Sequence, residues 1–207
     1  MSRTKTSKAW MREHVNDAWV QKARADGYRA RSAYKLMQID DRDHLLRAGG
    51  VVVDLGAAPG GWSQVAAERV GPAGRVIAVD LLEIAPLRGV ECLQGDFGDE
   101  AILATVQSRL AGRSPDLVMS DMAPNMSGIP GVDQARACGL AELAIDFART
   151  SLTREGALLL KVFHGEGFDE LIRTLRGAFL QVAVRKPEAS RGRSNETYAV
   201  GRGLKAV

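Results

Sequence analysis

From Gly50 onward, short apolar runs alternate with longer amphipathic stretches, and several of the runs close on a charged residue. Val51-Val52-Val53-Asp54, Gly74-Arg75-Val76-Ile77-Ala78-Val79-Asp80 and Asp116-Leu117-Val118-Met119-Ser120-Asp121 each end in aspartate, while Gly156-Ala157-Leu158-Leu159-Leu160-Lys161-Val162 carries a lysine there. Near-continuous apolar runs of this length suit strands buried on both faces. A further strand closes at Leu93-Gln94, and residues 179–184 and 197–200 read as two closing strands. Helical stretches fit residues 62–70, 99–110, 133–152 and 168–178. The alternation predicts an α/β fold with a mostly parallel, seven-stranded sheet and helices on both faces. Ligands then bind at the carboxyl ends of the strands, which makes the charged strand ends candidate site residues.

Before Gly50 the pattern is helical. Ser7 can cap a helix over residues 7–24 that stops at Gly27, and a second helix over residues 32–46 places Ala33, Leu36, Ile39 and Leu45 at roughly helical spacing. The pattern divides the chain into a short N-terminal helical appendage, residues 1–48, and an α/β unit, residues 49–207.

At 207 residues the chain accommodates one α/β domain with a short appendage. No apolar run approaches the roughly 18 residues of a membrane helix, and no apolar stretch follows the basic start as a secretory signal would. A cytoplasmic location is the expectation. Cys92 and Cys138 stand alone, without metal-ligand spacing, so neither a disulfide framework nor a metal site is expected.

The net charge of +3 is unevenly distributed. Residues 1–35 hold nine Lys/Arg against Glu13, Asp17 and Asp26. Arg185, Lys186, Arg191, Arg193, Arg202 and Lys205 form a second basic segment, offset by Glu188 and Glu196. Two basic ends suit a polyanion partner, although solvated faces carry the same composition. Trp10, Trp19 and Tyr28 within the first segment serve either base stacking or helix packing.

The loop Asp54-Leu55-Gly56-Ala57-Ala58-Pro59-Gly60-Gly61-Trp62 follows the first strand and opens a helix, with glycines where a ligand would approach the backbone. It lacks the G-x-G-x-x-G of a dinucleotide loop and the GxxxxGK[ST] of a P-loop. Asp80, ending the second strand, is placed to accept from a ribose diol, and Asp96 after the third to receive an adenine amino group. Loop, Asp80 and Asp96 together point to S-adenosylmethionine.

Residues 54–64 (DLGAAPGGWSQ), 120–125 (SDMAPN) and 161–163 (KVF) resemble those of the FtsJ-type (RrmJ) family of rRNA 2′-O-ribose methyltransferases, and the resemblance spans nearly the whole chain. It implies a Rossmann-like, class I S-adenosylmethionine-dependent methyltransferase fold for residues 49–207, with residues 1–48 as a basic RNA-binding appendage. It also implies a catalytic tetrad at Lys35, Asp121, Lys161 and Glu196, cofactor contacts at Gly60, Trp62, Asp80, Asp96 and Asp121, and no metal. The substrate implied is a uridine 2′-hydroxyl of 23S rRNA in the assembled large (50S) ribosomal subunit, acted on by a monomer that engages neither DNA nor membrane. Arg3, Lys5, Lys8, Arg12, Arg29, Arg31 and Arg193 are the expected RNA contacts, and His164, beside the tetrad, is a further RNA-facing candidate.

A ribose hydroxyl is a weak nucleophile and gives up its proton as it attacks the sulfonium methyl. Lys161 is the candidate base. It acts after losing its own proton, which the Lys35 ammonium favours and Asp121 and Glu196 oppose; in the alternative, a charged Lys161 steers the hydroxyl lone pair and proximity supplies the acceleration. Rival readings are methylation of another RNA such as tRNA, a non-catalytic RNA-binding assembly factor, an amino-methyltransferase with an N/D-P-P-Y/F motif where Asp121-Met122-Ala123-Pro124 stands, and an NAD-dependent oxidoreductase.

Overall fold

The computed structural model describes residues 17–125, 127–192 and 194–206. Val51–Leu55 (β1) is buried at every position, as a strand flanked on both sides and covered on both faces must be. β1 pairs in parallel with Arg75–Asp80 (β2) on one side and with Leu117–Ser120 (β4) on the other. Val90–Gln94 (β3) extends the β2 side, and Ala157–Phe163 (β5) the β4 side. Glu196–Leu204 (β7) runs antiparallel between β5 and Phe179–Arg185 (β6), giving the order β3-β2-β1-β4-β5-β7-β6. The chain therefore reverses its direction of travel across the sheet between β1 and β4, and a crevice opens at such a point.

Alternate residues of each strand serve opposite faces. Val51, Val53 and Leu55 pack with helices Glu100–Leu110 (α4), Pro130–Ser151 (α5) and Phe168–Ala178 (α6). Val52 packs on the other face with Ser32–Asp43 (α2) and Gly61–Val70 (α3). Helix α2 contributes Ala33, Leu36 and Ile39 to that second cluster, together with Trp62, Leu159 and Tyr198. Packing is thus continuous across residue 48, where the sequence pattern changes.

The sheet and helices lie where the apolar periodicity places them, with informative differences at their ends. Helix Ala18–Ala25 (α1) is capped by Asp17, whose backbone is extended and whose side chain accepts from Trp19 N–H; the expected helix start at Ser7 lies outside the described residues. Helix α2 stops at Asp43, short of Leu46, because the Asp40 carboxylate takes the N–H groups of Leu45 and Leu46 at 2.7 and 2.8 Å and His44 turns left-handed. Helix α5 begins at Pro130, whose fixed φ and missing N–H suit a first helical turn. β7 is a nine-residue strand with neighbours on both sides, so the closing pair is not a simple continuation outward.

Candidate active site

At the carboxyl ends of β4 and β5, four charged side chains converge. Lys161, near the end of β5, places its Nζ 2.8 Å from Asp121 Oδ1 and donates to the Asp121 carbonyl at 2.7 Å. Glu196 Oε2 lies 3.9 Å from the same Nζ. Lys35, on α2, is only 7% exposed and donates to Glu196 Oε1 at 2.5 Å. Sheet register produces the meeting: β5 and β7 are antiparallel with Lys161 opposite Tyr198 and Phe163 opposite Glu196, and α2 is laid across that face by Leu36 and Ile39.

Tyr198 joins the four. Its hydroxyl donates to Asp121 Oδ1 at 2.9 Å, accepts from Lys35 Nζ at 3.1 Å and lies 3.2 Å from Glu196 Oε1. Burial, followed by the charges of Asp121 and Glu196, drives the phenol's pKa well above its ordinary value, so it stays protonated and can donate. Burial pushes Glu196 upward as well, but the ammonium groups of Lys35 and then Lys161 outweigh it and hold the carboxyl below its usual range. Ser190 adds a hydrogen bond to Glu196 at 3.1 Å. The result is an ordered alternation of two lysine and two carboxylate side chains around one phenol.

The second set of candidates rims the crevice beside β1. Gly56 has φ +72°, and a Cβ there would stand 2.4 Å from Met122 Cγ, so the post-β1 and post-β4 loops touch only because no side chain intervenes. Gly60, with φ +104°, precedes the first turn of α3, whose N–H groups have no partner inside the helix. Trp62 is buried, with its indole N–H on Ser32 O at 2.8 Å and its ring 5.6 Å from that of Tyr198. What it can present to a ligand at the helix start is therefore backbone. Asp80 accepts Ala58 N–H on one oxygen and Leu82 N–H on the other, each at 2.8 Å, and the remaining lone pairs suit a diol. Asp96 is exposed in the turn after β3, with one oxygen on Gly98 N–H.

Beneath this loop lies Asp54, fully buried, with one oxygen on Ser63 Oγ at 2.5 Å and the other without a protein partner. Burial pushes its carboxyl up to about 7, with further contributions from the charges of Asp121 and Asp80, against the pull of the Ser63 hydrogen bonds. An orphaned buried acceptor, glycines that a Cβ would block and a diol-ready carboxylate fit a bound nucleoside-type cofactor.

The FtsJ-like methyltransferase model matches residues 28–204. The chain belongs to the FtsJ-like methyltransferase family. The "Ribosomal RNA large subunit methyltransferase E" of Azoarcus sp. (strain BH72) is 61% identical over 201 residues, 97% of this chain and 98% of that one. Its counterpart in Dechloromonas aromatica (strain RCB) is 57% identical, over 99% of this chain and 100% of its own. A crystal structure described as a ribosomal RNA methyltransferase from Plasmodium falciparum superposes with a TM-score of 0.75 at 27% identity, covering 86% of this chain and 98% of that one.

Within this family member, the basic residues expected to face RNA divide into two groups. Arg3, Lys5, Lys8, Arg12 and Arg193 lie outside the described residues. Arg29 and Arg31 are engaged inside the chain. Arg29 donates to Pro59, Ala85 and Pro86 carbonyls at 3.1, 2.6 and 2.8 Å, and Arg31 bonds Asp17 and Ala189 O. Arg185 likewise spends its guanidinium on Asp43, with two contacts of 2.7 Å. Trp19 and Tyr28 pack on Tyr34, with centroids 5.1 and 5.8 Å apart, which makes them helix-packing residues; Trp10 is outside the described set. Tyr198 was not among the sequence candidates, although its i, i+2 spacing from Glu196 puts both on one face of a strand. No helix among the described residues is long and apolar enough to cross a membrane.

Proposed function

We propose that this family member transfers the methyl group of S-adenosylmethionine to a uridine ribose 2′-hydroxyl of 23S rRNA in the large ribosomal subunit. The observation that carries this reading is the Lys161 geometry. A neutral amine has two N–H bonds and one lone pair. Two of the positions around Nζ are taken by Asp121, through its carbonyl and its Oδ1. In the neutral form that leaves the lone pair for the hydroxyl proton, which supports Lys161 as the base. Glu196 and Tyr198 anchor Lys35 in the same cluster.

Gly60, Trp62, Asp80, Asp96 and Asp121 would hold the cofactor, which supplies an electrophilic methyl on a sulfonium. The 2′-hydroxyl would attack that methyl, with the thioether as leaving group, and Lys161 Nζ would receive the hydroxyl proton. Orientation by Asp121 and Lys161 supplies proximity in addition to proton transfer. The rRNA and large-subunit specificity rests on the names of the full-length relatives.

The test is incubation with tritiated S-adenosylmethionine and undermethylated large subunits, with the label located by ribose-methylation mapping. Wild type labels a 2′-oxygen and Lys161→Ala loses about a hundredfold or more in rate. Initial rates rise with pH on the acidic limb if Lys161 is the base. A flat profile assigns it to orientation, and absence of transfer from wild type overturns the reading.

A further inference from the structure

A recess of about 480 Å³ lies between the post-β4 segment, the start of α5, the end of β5 and the turn leading into β7. Pro124, Gln134, Phe163, His164 and Asn195 are among its lining residues, and no residue of the glycine loop, nor Asp80 or Asp96, borders it. Three of these walls are chain neighbours of the tetrad: Asn195 adjoins Glu196, Phe163 is two residues past Lys161, and Pro124 is three past Asp121.

The covalent structure of a nucleotide links this recess to the reaction. The base is attached at C1′, next to the C2′ that bears the reacting hydroxyl. A ribose presented to Lys161 must therefore place its base in whatever space adjoins the tetrad, and the cofactor end is spoken for.

Its chemistry matches a flat polar ring. Pro124 and Phe163 offer flat apolar surfaces, and His164 stacks on Phe168 at 4.2 Å and 29°, which braces a third. Gln134 is held at the wall by its Nε2 donating to Phe163 O at 3.3 Å. Gly165 faces the same amide, and a Cβ there would approach its Oε1 to 3.2 Å. Asp133, the recess's acidic residue, has its carboxylate occupied by Ser127 N–H, Ser127 O–H and Gly128 N–H. The remaining polar side chains are Ser194, His164 and the amides of Gln134 and Asn195, and an amide's paired donor and acceptor match two adjacent atoms of uracil's acceptor-donor-acceptor edge.

We propose that this recess is the pocket for the base of the nucleotide being methylated, and that Gln134 reads that base's hydrogen-bonding edge. The assignment rests on the 2′-O-methyltransferase reading above. It makes Gln134 a specificity-determining residue and Phe163 and His164 the stacking walls.

Two measurements test it with the full-length protein. The first is photocross-linking to large subunits carrying 5-iodouridine at the methylated position. The expected adducts are on Phe163 or His164; adducts confined to residues 81–96 overturn the proposal. The second compares kcat/KM on subunits with uridine or cytidine at that position for wild type, Gln134→Leu and Gln134→Glu, with S-adenosylmethionine Kd as the check on folding. Both variants keep the cofactor Kd, lose about tenfold or more on uridine and narrow the uridine preference. A merely structural Gln134 would reduce both substrates equally, and an unchanged preference overturns the proposal. Failure of the wild type to methylate uridine subunits at all would instead bring down the underlying reading, and this assignment with it.

Discussion

Tyr198 is the side chain on which the charged residues converge. Its ring is fully buried against Trp62, while its hydroxyl contacts Lys35, Asp121 and Glu196. Tyr198→Phe keeps the ring and removes the hub. Asp121 Oδ1 and Lys35 each lose one partner but keep Lys161 and Glu196, which costs about 0.5–1.5 kcal/mol of stability. The expected outcome is a fall in kcat of about tenfold with S-adenosylmethionine affinity unchanged, read by steady-state kinetics and calorimetric titration. An unchanged kcat would show that the hydroxyl organises nothing Lys161 needs. Asp121 and Lys161 were readable as charged residues closing apolar strands, whereas Lys35 and Glu196 were readable only through the family resemblance. Tyr198 was available by the two-residue alternation along β7, but a tyrosine in an apolar strand is more often plain core. Trp62 was readable as a position and not as a contact, because only packing shows its indole turned toward Ser32 O.

At the scale of elements, the connection from α1 to α2 is a strap over the glycine-loop end of the sheet. Arg29 bridges the Pro59 carbonyl of the glycine loop to those of Ala85 and Pro86 after β2. Its own N–H meets Gln64 at 3.2 Å, and Tyr28 OH reaches Glu68 on α3 at 2.9 Å. A guanidinium bound to three carbonyls has little left for phosphate, so its charge serves the fold. Arg29→Ala should raise the Kd for S-adenosylmethionine about tenfold and leave the KM for RNA within about twofold, measured by calorimetry and by subunit titration. The reverse pattern would return Arg29 to the RNA surface. Sequence could not reveal this, since a basic residue paired with carbonyls and one facing a phosphate have the same composition. The end of α2 was hidden for a related reason: Leu45 continues the apolar spacing, but the Asp40 carboxylate diverts the N–H groups that would extend the helix.

For the whole molecule, strand and helix order were legible because the central strands β1, β2, β4 and β5 are largely buried and therefore nearly continuously apolar. The insertion of β7 between β5 and β6 was not, since period-two patterning reports burial and not neighbours. That insertion brings Glu196 and Tyr198 to Lys161, so the part of the topology that sequence conceals is the part that assembles the site. Two carboxyls with perturbed titration at the candidate site also act at this scale, through stability as a function of pH. Glu196 is held below the usual glutamate value, so its contribution is present above that value and is lost as pH falls through its folded-state value. Asp54 works in the opposite sense. Its carboxyl is raised to about 7 from an ordinary 3.8, so the folded chain binds the proton more tightly than the unfolded one. Stability is then greatest on the acidic side and declines as pH climbs from about 4 through about 7, where a buried charge without full partners remains. In the protein without ligand, the thermal midpoint should fall by several degrees between about pH 5.5 and about pH 8. Asp54→Asn retains an acceptor for Ser63 and removes the titration, so its midpoint should change far less across the same interval and match or exceed that of wild type at the alkaline end. Calorimetric scans of both proteins at the two pH values check this, and parallel declines would place the titrating group elsewhere.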